Sequence, residues 1–191
     1  MIQPTRDLDL LNCPSGRQPE PEVVQPLIDL LHQLFDLVES LSNEAYTRKP
    51  VGVVSSSIGG HVRHNLDHVQ AFLLGLRAGE VNYDHRDRGT DVERDRLAAL
   101  GEILRLKQEL TAFAWQDVPH LIKLTALVTP DRPAMTSLTS PDRELAFVVS
   151  HTVHHNAIIG IMAKLLGADL PAEFGYAPST IAHQRSRACV R

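Results

Sequence analysis

Ser140-Pro141-Asp142-Arg143-Glu144-Leu145-Ala146-Phe147-Val148-Val149-Ser150-His151-Thr152-Val153-His154-His155 reads as a helix that starts sharply and turns two imidazoles inward. Serine caps a helix well. Proline at the first helical position has the right φ and no N–H to leave unpaired, and an acid is favoured near the positive end of the dipole. The helix is expected to run to Leu166, where Gly167 stops it. His151 and His155 stand four residues apart, which stacks them on one face with Cβ atoms about 5–6 Å apart. They share a stripe with Glu144, Val148, Ile158, Ile159 and Met162, so the pair faces a core. His154 falls one residue off the stripe, at its border. Burying two imidazoles without partners is costly. Two so placed can hold one metal ion at nitrogen–metal distances of about 2.0–2.1 Å; a hydrogen-bonded core pair is the competing reading.

The chain has ten histidines, and six lie in residues 61–68 and 151–155. The upstream window supplies His61, His64 and His68, spaced three and four apart. It sits on a second predicted helix that begins after Ser55-Ser56-Ser57, a run suited to capping. That helix continues through Val62, Leu66, Val69, Leu73 and Leu76 to Gly79. A dinuclear centre would use both helices' pairs with carboxylates such as Asp67 and Glu144. Ferritin-like dinuclear sites, however, use Glu-x-x-His motifs, and neither window contains one. A mononuclear site with three histidines is the simpler account. It leaves positions for water or substrate, as catalytic metals do.

The remaining helices follow from the same period. Val24, Leu27, Leu31, Leu34, Val38 and Leu41 form one apolar face from about residue 21, with Pro26 expected in the first turn and Lys49-Pro50-Val51-Gly52 ending the unit. Thr90-Asp91-Val92-Glu93 is a capping-box signature that predicts a third helix with Leu97, Leu100, Leu104 and Phe113 on its apolar face, ending before Pro119. Leu121–Val128 and Met135–Leu138, joined by the turn-forming Thr129-Pro130-Asp131-Arg132-Pro133, predict a β-hairpin. Four helices of roughly 20–28 residues with one long excursion between the third and fourth predict an all-α four-helix bundle. It would occupy residues 21–167, between a loose tail at 1–20 and an irregular tail at 168–191.

Composition narrows the function. At 191 residues, 43% hydrophobic and 22% charged, the chain fits one globular domain. The N-terminus lacks the basic-then-apolar order of a signal peptide, and no window approaches ~18 uncharged apolar residues. Cys13 and Cys189 are in no CxxC pair and read as free thiols of a reducing cytosol. The net charge of −4, with signs mixed, and the lack of a basic stripe argue against nucleic-acid and membrane partners. The basic end, Arg185, Arg187 and Arg191, reads as a solvated tail. The loop with Tyr83, His85 and Arg86 reads mainly as a solvated turn, its other reading being the mouth of a pocket.

Gly60-His61-Val62-Arg63-His64 followed by an apolar helix, together with His151-Thr152-Val153-His154-His155, resembles the DinB-like superfamily of metal-binding four-helix bundles. The resemblance covers roughly residues 22–167. That superfamily includes bacillithiol- and mycothiol-dependent transferases and the N-terminal domains of ergothioneine-forming sulfoxide synthases. Its pattern is one histidine on the second helix and His-x-x-x-His on the fourth. The resemblance therefore implies His64, His151 and His155 as ligands of one divalent transition metal, with zinc first and nickel or iron next. His61 becomes accessory, and on this ligand set His68→Ala leaves most of the metal bound. His61, Asp67, His68, Glu144 and His154 are candidates for orienting ligands or for acid–base work. Asp67 and Glu144 also read as solvated or capping carboxylates, and His61 and His68 equally as surface residues. Many members continue the fourth-helix motif with Arg-Gly-Gln, whereas this chain has Asn156-Ala157-Ile158, and its stretch from Ser57 to Asp95, with Asn82-Tyr83-Asp84 before a charged loop, resembles a separate branch. The implied activity is transfer to or from a low-molecular-weight thiol, or hydrolysis. The alternative is a non-catalytic metal-stabilised bundle, a sensor or adaptor. A homodimer through one bundle face and a cytoplasmic location complete the expectations.

Overall fold

The computed structural model describes residues 21–50, 52, 55–84 and 89–188. The first tail, both cysteines, and His85 and Arg86 lie outside them. Helices α1 (Pro21–Ser40), α3 (Ile58–Ala78), α5 (Arg96–Ala112) and α6 (Pro141–Leu165) form the predicted bundle. Helix α3 packs on α6 and α5, and α1 packs on α5 and α6. The short α2 (Asn43–Thr47) and α4 (Asp91–Arg94) brace the start of α3.

The apolar face read for α1 is the buried one: Val24, Leu27, Leu31, Leu34, Val38 and Leu41 all enter the core. Pro26 lies inside α1, past the first turn in which it was expected. The unit also ends earlier than Lys49. Ser42 takes an extended backbone and its hydroxyl accepts from the Ala45 N–H, which starts α2 as a separate turn. That turn buries Tyr46, whose hydroxyl donates to the Val92 carbonyl at 2.7 Å.

Ser57 caps α3 as expected, accepting from the Gly60 N–H at 3.1 Å, and Gly79 ends it at φ 74°. A Cβ at Gly59 would overlap the backbone carbonyl of Glu93 and crowd the Tyr46 ring. Only glycine lets α4 approach α3 this closely. Gly59→Ala is expected to cost about 1–3 kcal/mol through overpacking, read from denaturant midpoints; a cost below a few tenths would refute the close approach.

The third helix differs from its prediction. Thr90 makes no side-chain cap, and the chain leaves the helical region at Asp95, whose φ is −126° and ψ 116°. The Asp95 carboxylate accepts from the Leu97 N–H and starts α5 anew, so the capping-box segment closes only the single turn α4. The buried face of α5 is Ala99, Ile103, Leu106 and Leu110, while Leu97 and Leu104 are 65% and 44% exposed. Apolar residues surround this helix, and such a pattern does not choose a face. Packing against α1 and α3 does.

The hairpin is present as β2 (Ile122–Ala126) and β3 (Met135–Thr139), with Ile122 opposite Thr139 and Ala126 opposite Met135. A third strand, β1 (Glu80–Asn82), joins parallel to β2 with Val81 opposite Leu124. Three residues are too few to show a period of two, so β1 carried no sequence signal. Beyond Gly167 the chain is not wholly irregular. Phe174 is buried against Gly160, and α7 (Pro178–Ala188) follows. Its described side chains are mostly exposed, so no apolar stripe announces it.

Helix α6 matches its predicted start. The Ser140 hydroxyl accepts from the Arg143 N–H, and Pro141 holds the first position. By length and composition alone α6 is apolar enough to cross a membrane. Its inner face nevertheless carries Glu144, Thr152, His155 and Asn156, all buried against the neighbouring elements.

Candidate metal centre

Helices α3 and α6 lie antiparallel, and a polar seam joins them. The Thr152 hydroxyl donates to the Asn65 side-chain oxygen at 3.0 Å. The Asn65 amide reaches the Asn156 oxygen at 3.5 Å, and the Asn156 amide reaches the Leu30 carbonyl of α1 at 3.4 Å. All three seam residues are fully buried. The register that aligns them also aligns the histidines, one helical turn to either side.

His64, His68 and His151 converge. One ring nitrogen from each lies within 4.8 Å of the other two. The rings of His68 and His151 stack at 3.8 Å, with His64 edge-on to both at 4.5 and 5.1 Å. The Nδ1 of His68 stands 2.9 Å from the His64 carbonyl oxygen. A carbonyl can only accept, so this nitrogen carries the proton and Nε2 keeps its lone pair. Metal-binding histidines are oriented in this way by a partner at the other nitrogen.

His155 adjoins the group, with its ring 4.6 Å from His64 and 4.5 Å from His151. Its Nδ1 faces Nδ1 of His61 at 3.2 Å. His61 is half-buried; burial, and then the nearby His154, hold its imidazole below the usual pKa. Nε2 of His61 is buried with no hydrogen-bond partner. His154 is exposed, with its ring 5.1 Å from His155.

The carboxylates separate. Asp67 pairs with Arg63 at 2.7 Å, and Arg63 also reaches Glu93 at 3.1 Å. Glu144 is neither solvated nor a cap: it is 0% exposed. It accepts from the Thr139 hydroxyl at 2.8 Å, the Tyr83 hydroxyl at 2.9 Å and the Arg143 guanidinium at 2.9 Å. Tyr83 is buried too, against its reading as part of a solvated turn, because β1 carries it directly off α3 onto the site. Its ring stacks on His68 at 5.3 Å and 9°. Burial and the adjacent Glu144 raise the phenol above its ordinary pKa, so it stays a donor. Phe147 closes the same wall, 5.0 Å from Tyr83 and 5.7 Å from His151. The Asn65–Thr152–Asn156 seam was not anticipated as such. Polar residues on a buried helical stripe were its one visible sign.

The donor set fits a transition-metal ion. It offers neutral imidazoles on two rigid helices, one with its tautomer set, without the carboxylate array that a hard cation needs. Fold and site together define a four-helix bundle with a histidine centre between its second and fourth long helices. The chain belongs to the DinB family, whose family model matches residues 22–183. It is also similar to FK506-binding protein 5 of Rhizopus delemar, at 28% identity over 163 residues. The matched region is 84% of this chain and 37% of that protein, so the chain spans little more than a third of the relative's length.

Proposed function

We propose that the chain is a divalent transition-metal protein, with His64, His68 and His151 as the ligands of one ion and zinc as the first candidate. The convergence of the three rings carries this reading: one nitrogen from each of His64, His68 and His151 lies within 4.8 Å of the other two, and the His68 Nδ1 proton is committed to the His64 carbonyl. His155, the ligand implied by resemblance, takes the adjoining place. Bound there, the ion supplies Lewis acidity toward water or a thiol. The chain's own residues do the rest. His64, His68 and His151 orient, Tyr83 and Phe147 wall off one side, and three protein ligands leave room for a small molecule. The proposed activity is thiol transfer or hydrolysis on a small substrate.

The test is elemental analysis of untagged protein purified without chelator, followed by single variants. About one tightly held equivalent is expected, as for a mononuclear centre. His68→Ala is expected to weaken binding more than about 100-fold, more than His155→Ala does. The reverse order would return the centre to His64, His151 and His155. A second reading is a non-catalytic metal-stabilised adaptor. The fungal relative favours it, since the similar segment there is 37% of a longer chain. Turnover of a thiol or ester probe that requires the ion would decide for the enzyme.

A further inference from the structure

Arg143, Phe147 and His151 follow one another at four-residue steps on α6. One face of the helix therefore leads from a guanidinium over a ring to a metal-site histidine within about 12 Å. The Arg143 guanidinium carbon lies 5.5 Å from the centre of the Phe147 ring. That ring stands 5.7 Å from His151, 6.3 Å from His68 and 5.0 Å from Tyr83, so Arg143 sits at the rim of the wall of the histidine centre. Its side chain is 59% exposed, yet two contacts fix it. The ring packs against the guanidinium, and Nη1 donates to the buried Glu144 carboxylate at 2.9 Å. Among the described residues, Nε and Nη2 make no hydrogen bond. These two nitrogens form one edge of the fork, the geometry that takes a carboxylate in two parallel bonds. Arginine in the first turn also stands at the positive end of the helix dipole. That place is unfavourable for a cation and favourable for an incoming anion. Asp142, the neighbouring acid, turns to another side of α6, where it lines an apolar groove with Val23 and Pro26.

We propose that Arg143 anchors the carboxylate of a small substrate whose other end, a thiol sulfur or a hydrolysable group, meets the metal centre. The inference rests on the metal-site reading above and names its substrate class, an anionic small molecule that spans the Phe147 ring. Glu144 and Phe147 hold the guanidinium in place beforehand, so binding requires little further ordering of the side chain. A neutral molecule of the same length gains nothing from Arg143.

The experiment loads the metal-free chain with Co2+ and titrates it with mercaptohexanoate and with mercaptohexanol, following the thiolate-to-cobalt absorption band. The acid is expected to bind about tenfold more tightly than the alcohol, as one hydrogen bond to a charged group contributes. In Arg143→Gln the acid falls to the level of the alcohol, while the alcohol changes by less than about twofold, as for a surface substitution. Arg143→Lys keeps the charge without the fork and restores part of the preference. Arg143 is largely exposed, so both variants keep the fold. If Arg143 acts only by supporting Glu144 and Tyr83, Arg143→Gln weakens both thiols alike, and that outcome overturns the anchor. Equal affinities in the wild type, a preference that survives in Arg143→Gln, or bound Co2+ that takes up neither thiol also overturn it and leave the metal centre standing. A chain that binds no Co2+ overturns the metal reading and the anchor together.

Discussion

Replacing His64 and His151 together with alanine removes the tightly held metal, from about one equivalent per chain to under about a tenth, because one imidazole of the three remains. The two residues stand on different helices, α3 and α6, so neither helix alone retains a chelating pair of this group. The effect is also readable as stability. An ion at about 100 times its dissociation constant stabilises the fold by about 2.7 kcal/mol, which for a chain of this size raises the melting temperature by roughly 5–11 °C. Wild type is expected to show that rise on adding Zn2+, and the double variant none. Full metal content in the double variant would end the three-histidine account.

Glu144→Ala is expected to be the most destabilising single change near the site. Glu144 is 0% exposed and collects the Thr139, Tyr83 and Arg143 donors. Removing it leaves the buried Tyr83 and Thr139 hydroxyls without their acceptor, in a setting where breaking a buried polar cluster costs about 3–5 kcal/mol. The melting temperature should fall by roughly 6–20 °C. Glu144→Gln keeps the volume and one acceptor, and should cost about 1–3 kcal/mol. Tyr83 stacks on His68, so the Gln variant is also expected to lower metal affinity about 10–100-fold, as loss of a supporting partner does. Denaturant midpoints and zinc titration check the two effects separately. An alanine variant within about 1 kcal/mol of wild type would show the cluster to be ornamental.

The legible parts of the fold share one property: their signal is local and repeated. The α1 stripe, the Ser57 and Ser140 caps, and the Gly79 and Gly167 stops each act within one or two turns, and each appears where it was expected. The third helix was misread where two local signals competed. Thr90 and Asp95 are both good caps, and the carboxylate of Asp95 takes the Leu97 N–H. The face of α5 was misread because Leu97, Leu100 and Leu104 look as apolar as Ile103 and Leu106 until a neighbour covers one side. Glu144 was placed correctly on an inward stripe, yet its partners come from β3 and from the residue after β1, 5 and 61 positions away.

Helical spacing alone put His151 and His155 on one inward stripe of α6 and let His61, His64 and His68 share a face of α3. A period of 3.6 residues fixes which side chains share a face, and it needs no knowledge of what lies opposite. Sorting the six histidines required the antiparallel register of α3 against α6. That register is held by the Asn65–Thr152–Asn156 seam and sets His68 against His151 and His61 against His155. A shift of one turn, about 5.4 Å, would pair different rings and leave every spacing in the sequence unchanged. Contacts between distant segments choose among such registers, because only they bury the seam's polar groups with partners.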